Sequence, residues 1–518
     1  MRSPALEPLR DLGATADPSV LTQYERNVSG LTRKIAAVVT PRDTAQVQAI
    51  VREANRLRTP LYPVSTGANW GLGSKLPVQD GGVVVDLSRM REIQSVDERH
   101  GHAVIQPGVT QGQLYRHLVA SGSLYYLNVT GSGAETSILG NALDRGIAHH
   151  GPRVDEVLGL EVVLGNGDLI TTGSAGRAGC RTDYLYRHGL GPSLDGLFFQ
   201  SSCGIVTRAG VRLRRRRPLH AVLRCAVHEE RRLPELVDST RELMQLGILE
   251  PSLHLANFER AWSVLGGLLS QQLPPGQVTA ALERASLAPW SLSCPLSGTA
   301  SQVRAAFAVA RRRLRWIGIP ALVTQRSQQR QRARARLRLA LTGDPIPLAL
   351  CDAARPAFEH SVGVPSDAAL ASVCWPLEDN SYAPGTNLDA TRSGTLFILP
   401  VLPMDGESVE EVRRMTAEVF KRHGFAPYMT LNSASPASLE AVINVLFRRG
   451  DAQHAARAHR CAEELISAFS RAGYLLYRAG IQSMPGVAQP GSAYWDAARR
   501  LKAALDPNGI IAPGRYGL

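Results

Sequence analysis

The chain is poor in several residue classes, and each shortage excludes something. Only seven cysteines occur in 518 residues (Cys180, Cys203, Cys225, Cys294, Cys351, Cys374 and Cys461), scattered and without a CxxC pair. That argues for reduced, mostly buried thiols and against a disulfide scaffold or a zinc site. No metal site is expected. No apolar run reaches the roughly 18 residues that a membrane span needs. The first residues, Met1-Arg-Ser-Pro-Ala-Leu-Glu-Pro-Leu, contain no apolar signal core, so a cytoplasmic protein is expected. Aromatic residues make up 6%, and none interleave with the basic runs in the way that stacks single-stranded nucleic acid. Lysine is nearly absent too: only Lys34, Lys75, Lys421 and Lys502 stand among 58 basic residues.

What remains is an arginine-rich chain of net charge +13, 44% apolar, long enough for two or more domains. The run 326–338, Arg-Ser-Gln-Gln-Arg-Gln-Arg-Ala-Arg-Ala-Arg-Leu-Arg, is helix-favouring. It reads as a solvated helix or surface segment, with an acidic or nucleic-acid partner as the alternative. Strand and helix signals alternate. A strand at 35–39 precedes a helix whose N-cap is assigned to Thr44 and whose apolar stripe is Val47, Ile50, Val51 and Ala54. Strand, turn and helix recur over 103–122, and Gly165-Asn-Gly167 marks a hairpin across 157–172. Beyond Pro218, strand-like runs (221–227, 291–294, 394–402) alternate with helix-like ones (233–246, 300–317, 408–423), suggesting helices packed on an antiparallel sheet.

The stretch Pro63-Val-Ser-Thr-Gly-Ala-Asn-Trp-Gly-Leu-Gly73 carries the first functional signal. Its glycines free the backbone, and successive N–H groups in such a turn form a nest for an anion such as a pyrophosphate. By itself it is equally a tight surface turn. It is neither GxGxxG nor a P-loop.

Three more stretches join it: Gly131-Ser-Gly-Ala-Glu-Thr-Ser-Ile-Leu-Gly-Asn-Ala-Leu-Asp-Arg-Gly146, Gly191-Pro-Ser-Leu-Asp-Gly-Leu-Phe-Phe-Gln-Ser-Ser-Cys-Gly-Ile-Val-Thr207, and the tail Asp506-Pro-Asn-Gly509 with Pro513-Gly-Arg-Tyr516. In this order, from about residue 30 to the C-terminus, they resemble the vanillyl-alcohol oxidase and p-cresol methylhydroxylase family of FAD enzymes. The resemblance implies an α+β protein. Residues 1–217, made of two α/β subdomains, would bind FAD. Residues 218–470 would form a cap with an antiparallel sheet covered by helices, and 471–518 would return to the FAD domain. Ser65, Thr66, Gly67, Ala68, Asn69, Trp70 and Gly71 would hold the pyrophosphate. Gly131, Ser132, Ser137, Gly140, Asn141, Gly146 and His149 would line the other side of the cofactor. Gly204, Ile205 and Val206 would meet the adenine-ribose end, and Arg515 the ring system, where a cation favours reduced, anionic flavin.

The substrate end departs from the family. Phenol oxidases of the family hold a phenolate with two Tyr and one Arg. Gly473-Tyr-Leu-Leu-Tyr-Arg478 supplies Tyr477 and Arg478, but Leu72 stands where the second Tyr is expected, unless another donor compensates. Ser132 replaces the Asp beside flavin N5. Residues 391–400 contain no His, Tyr or Cys that could attach the flavin, so FAD is expected to be non-covalent. His149 and His150 are open to two roles: a base or a new covalent link, or histidines that pack against the flavin edge. Tyr382 and Arg392 are candidates by position alone. The expected activity is hydride removal from a substrate carbon in tailoring of a secondary metabolite, with coupled oxidative decarboxylation as a variant. Oxidation of an alkylphenol or aryl alcohol is the alternative, and an arginine-rich nucleic-acid-binding protein a distant one. A small-molecule substrate is expected, with no nucleic acid and no membrane, and a homodimer by analogy with the family.

Overall fold

A computed structural model describes residues 7–174, 177 and 179–518, and three sheets organise them. The first is parallel, in the order Ala37–Val39, Val83–Asp86, Leu61–Val64. Its central strand is buried on both faces, as a run of valines requires. The helix Thr44–Leu57 buries Val47, Ile50, Val51 and Ala54, as the periodicity indicates. Its cap is Asp43 and not Thr44: the extended Asp43 accepts from Gln46 N, while the Thr44 hydroxyl donates to Glu161 Oε1 at 3.0 Å. Both residue types cap helices well, and the tertiary partner for Thr44 decides between them.

The tail closes this sheet. Leu61 N donates to Ile510 O, and Ala512 N to Leu61 O, both at 2.7 Å. Lys502 is buried, donates to Ile511 O at 2.8 Å and pairs with Asp506. The second sheet is antiparallel, in the order Leu169–Thr171, Val157–Leu164, Gly204–Arg212, His102–Ile105, Ile93–Asp97, and contains the expected hairpin.

The third sheet has eight strands drawn from residues 219–448. Besides the three runs expected from sequence, it includes His254–Asn257, Ile319–Thr324, Tyr428–Ser435 and Ser438–Arg448. One face is apolar. Leu223, Leu255, Leu292, Leu431 and Ile443 pack under the helices Leu233–Gln245, Ala300–Leu314, Gly406–His423 and Ala452–Arg471. The arginine-rich run lies within an exposed helix, Gln325–Thr342, whose only buried residue is Ala335. The fold is α+β, as expected.

Side chains directly opposite across antiparallel strands share a face. The pairs Arg224↔Ser293, His254↔Ser293, His254↔Asn432 and Asn432↔Glu440 therefore form one polar row on the sheet's second face. That row roofs the functional site.

Candidate functional site

A cleft opens between the first two sheets, lined by Ser65 to Asn69, Leu72, Thr136, Ser137, Gly140, Asn141, Gly204 to Val206 and Arg515, among others. Most of the cofactor residues named from sequence meet here. The Pro63–Gly73 loop turns through Gly67 (φ +75) and Gly71 (φ +74), a left-handed conformation that favours glycine. Among the described residues, no acceptor takes the backbone N–H of any residue from Thr66 to Asn69 on the cleft wall. Four successive unspent donors suit a diphosphate nest. The far wall is kept low: a Cβ on Gly140 would overlap Ser65 Oγ. Ser137 locks the two walls together. Its N–H donates to Thr66 Oγ1 at 3.0 Å, and its hydroxyl donates to Pro107 O at 2.6 Å while capping the helix Ile138–Leu143. These residues fit FAD.

Other sequence-named residues lie outside the cleft lining. Trp70 turns toward Asn387, and its Nε1 donates to Asn387 Oδ1 at 3.2 Å. Gly71 lies beneath Phe397, whose ring a Cβ would overlap. Ser132 Oγ is 2.8 Å from Thr136 Oγ1, one residue removed from the cleft. Gly131 packs against Ala369, and Gly146 against the Asn141 side chain. Tyr382 donates to Asp367 O at 3.3 Å, while the Arg392 backbone N–H donates to Asp379 at 2.9 Å.

Asp144 is the residue that sequence reasoning missed. It is 3% exposed. It accepts from Arg478 Nη2 at 2.6 Å, Arg515 Nη2 at 2.8 Å, Tyr516 Oη at 3.1 Å and Asn69 Nδ2 at 3.1 Å. Burial pushes its carboxyl up, but Arg478 and Arg515 outweigh burial and the net shift is downward. One carboxylate thus joins the phosphate loop, the Tyr-Arg stretch and the tail, and leaves one net positive charge. Arg478 also donates to Asn69 Oδ1 at 2.8 Å, and its buried Nε has no partner. Tyr477 beside it is pushed up by burial and by the carboxylates of Glu440 and Asp144, with Arg478 pulling the other way. Leu72 is 3% exposed and carries no polar group to complete a clamp.

The roof is a neutral, histidine-rich surface. The His149 ring stacks on His254 at 4.5 Å and meets His150 edge-on at 5.1 Å. His254 bonds Asn432 Oδ1 at 2.6 Å and His149 O at 2.9 Å, and His150 Nε2 bonds Ser361 O at 3.0 Å. Burial depresses all of them: His149 well below the usual range, His150 to about 3, and His220 and His360 nearby to about 4. His149 Nε2 is buried without a partner. Among the described residues no group of three or more His, Cys, Asp or Glu could hold a metal. At the end of the row, burial raises Glu440 to about 7, and its Oε2 lacks a partner.

Residues 35–173 match the FAD binding domain family. The chain is 34% identical to the 1'-carboxy-chondrochloren decarboxylase of Chondromyces crocatus, over 99% of this chain and 96% of that protein. It is 28% identical to the 4-cresol dehydrogenase [hydroxylating] flavoprotein subunit of Pseudomonas putida, over 93% and 88%. A crystal structure of p-cresol methylhydroxylase with substrate bound superposes with a TM-score of 0.84 at 27% identity, covering 99% of this chain and 96% of that one. No described helix is long and apolar enough to cross a membrane.

Proposed function

The chain belongs to the p-cresol methylhydroxylase-type family of FAD-dependent oxidoreductases, and on that premise we propose that it oxidises a carboxylated small molecule, tailoring a secondary metabolite, with loss of CO2. The observation that carries this is the altered clamp. Leu72 removes one phenolate donor, and Arg478 is already paired with Asp144 at 2.6 Å. A simple phenolate therefore finds a weakened receptor. The full-length similarity to a decarboxylase supports the same reading.

FAD, when bound, supplies the hydride acceptor. Thr66 to Asn69 would hold its diphosphate, and the cation shared by Arg478 and Arg515 would face the charge that reduction creates. The protein needs no strong base for this chemistry. Hydride leaves a carbon β to the carboxylate. The bond to the carboxyl carbon breaks, its electron pair becomes the alkene, and CO2 departs. Charge and atoms balance with no proton removed. Tyr477 and the raised carboxyl of Glu440 are hydrogen-bonding groups for other substrate oxygens, and the neutral histidine roof excludes water from the reacting carbon.

The test uses FAD-loaded enzyme with 3-(4-hydroxyphenyl)propanoate or 4-ethylphenol, following flavin bleaching and CO2. Faster bleaching by the propanoate, with CO2, supports the proposal. Useful rates with 4-ethylphenol favour the second reading, alkylphenol or aryl-alcohol oxidation, which the retained Tyr477–Arg478 pair and the similarity to a 4-cresol dehydrogenase support. FAD is non-covalent in this reading, because residues 391–400 offer no His, Tyr or Cys. Yellow colour that stays with acid-precipitated protein would overturn that. The same reading takes the enzyme as a cytoplasmic homodimer of a 1–217 FAD domain, a 218–470 cap and a returning 471–518 segment, with sedimentation as the check on the dimer.

A further inference from the structure

Arg260 borders the roof and differs from Arg478 and Arg515 in having no carboxylate partner among the described residues. It sits in the first turn of the helix Phe258–Leu269, directly after the strand that carries His254. Asn257 fixes that junction: Oδ1 accepts from Arg260 N at 3.1 Å and Met429 N at 3.0 Å, and Nδ2 donates to Pro427 O at 2.6 Å. The part-buried Arg260 side chain makes one hydrogen bond among the described residues, from Nη1 to Ser372 Oγ at 2.7 Å. Ser372 Oγ donates in turn to Ala369 O at 2.5 Å. Ala369 packs on Gly131, where an added Cβ would stand 3.6 Å from its Cβ. Gly131 opens the loop whose Thr136 and Ser137 line the cleft. Arg260 is thus linked through Ser372 and Ala369 to the loop that lines the cleft, and through the preceding strand to His254 of the roof.

Two acids on the neighbouring segments are committed elsewhere. Glu259 accepts from Asn257 Nδ2 at 2.6 Å, and Asp367 accepts from Ala134 N at 2.9 Å and Gly385 N at 3.2 Å. Burial alone acts on the Arg260 guanidinium, pulling it down to about 10. At Arg478 burial pulls the same way, but Asp144 and its neighbours more than offset it. A buried cation without a counter-ion is costly, and a guanidinium fork matches a carboxylate in bidentate fashion.

We propose that Arg260 is the receptor for the substrate carboxylate, its missing counter-ion arriving with the ligand. This rests on the reading of a carboxylated substrate and adds the residue that selects the charge. The carboxylate becomes neutral as CO2 leaves, so the pair is made in the ground state and dissolves during the reaction. Arg260 accordingly acts on binding and specificity, through KM more than kcat.

The experiment titrates FAD-loaded wild type, R260Q and R260K with 3-(4-hydroxyphenyl)propanoate and with its primary amide, reading the flavin absorbance. Wild type should prefer the carboxylate. R260Q should bind it about thirtyfold or more weakly while binding the amide within about threefold of wild type, and R260K should fall between. Equal weakening of both ligands would mean a structural role and would overturn the proposal, as would no change in either. If R260Q does not retain FAD, R260K decides: an undiminished carboxylate preference overturns the proposal, a reduced one supports it. CO2 release that persists beside an unchanged preference in R260Q would sink this inference and leave the reaction standing. Loss of preference in R260Q with no CO2 from wild type would do the reverse.

Discussion

The cleft and the roof above it are built in opposite ways. The cleft is made largely of backbone: four N–H groups with no acceptor among the described residues, glycines with no room for a side chain, and one carboxylate shared by two guanidiniums. The roof is made of side chains, namely stacked neutral imidazoles, a carboxyl raised to about 7 and, at its border, a guanidinium bonded to a serine hydroxyl and to no carboxylate. A backbone receptor suits a constant ligand, because its geometry is local and unaffected by side-chain drift. A side-chain roof can change its ligand one residue at a time, and Leu72 marks one such change.

The sharpest break of the comparison lies at Asp144. Asp144→Asn would leave two guanidiniums sharing a neutral acceptor and should cost about 3–5 kcal/mol, seen as a lower Tm and loss of bound FAD. Unchanged FAD content would mean that the two halves are not joined there. Acid should act on the roof and spare the cleft. A buried imidazole held neutral binds a proton more readily once unfolded, so its contribution is full above pH 6.5 and is lost as pH falls toward the folded values of about 4 at His220 and His360 and about 3 at His150. Each histidine should remove about 1.4 kcal/mol per pH unit across that window. Thermal melts between pH 7 and 4 check this, and a flat Tm would contradict it. Gly140→Ala fills the cradle against Ser65 at about 1–3 kcal/mol, which fluorescence titration should read as roughly ten- to hundredfold weaker FAD binding. The smallest effect is expected at Leu72→Tyr. A restored hydroxyl should raise the 4-ethylphenol rate by about tenfold, less whatever overpacking removes, in steady-state assays.

The same contrast explains what could be read from sequence. The phosphate loop, Ser137, Gly140 and the Gly204–Val206 strand were legible because their signals are local turns and glycines. Asp144 lay in plain view within Gly-Asn-Ala-Leu-Asp-Arg-Gly, but its meaning depends on Arg478 and Arg515, which are 334 and 371 residues away. The roof was less legible still. His149 and His150 showed as a titratable pair, whereas His254, Asn432 and Glu440 become neighbours only through strand register. Arg260 gives no sequence signal at all, since what marks it is the carboxylate that is missing beside it.

The most direct test of the account is stoichiometric. FAD-loaded enzyme is mixed anaerobically with 3-(4-hydroxyphenyl)propanoate, and CO2 is counted against flavin reduced. The account predicts one CO2 per flavin reduced, with 4-vinylphenol as product. Flavin reduction without CO2, or faster reduction by 4-ethylphenol, would contradict it.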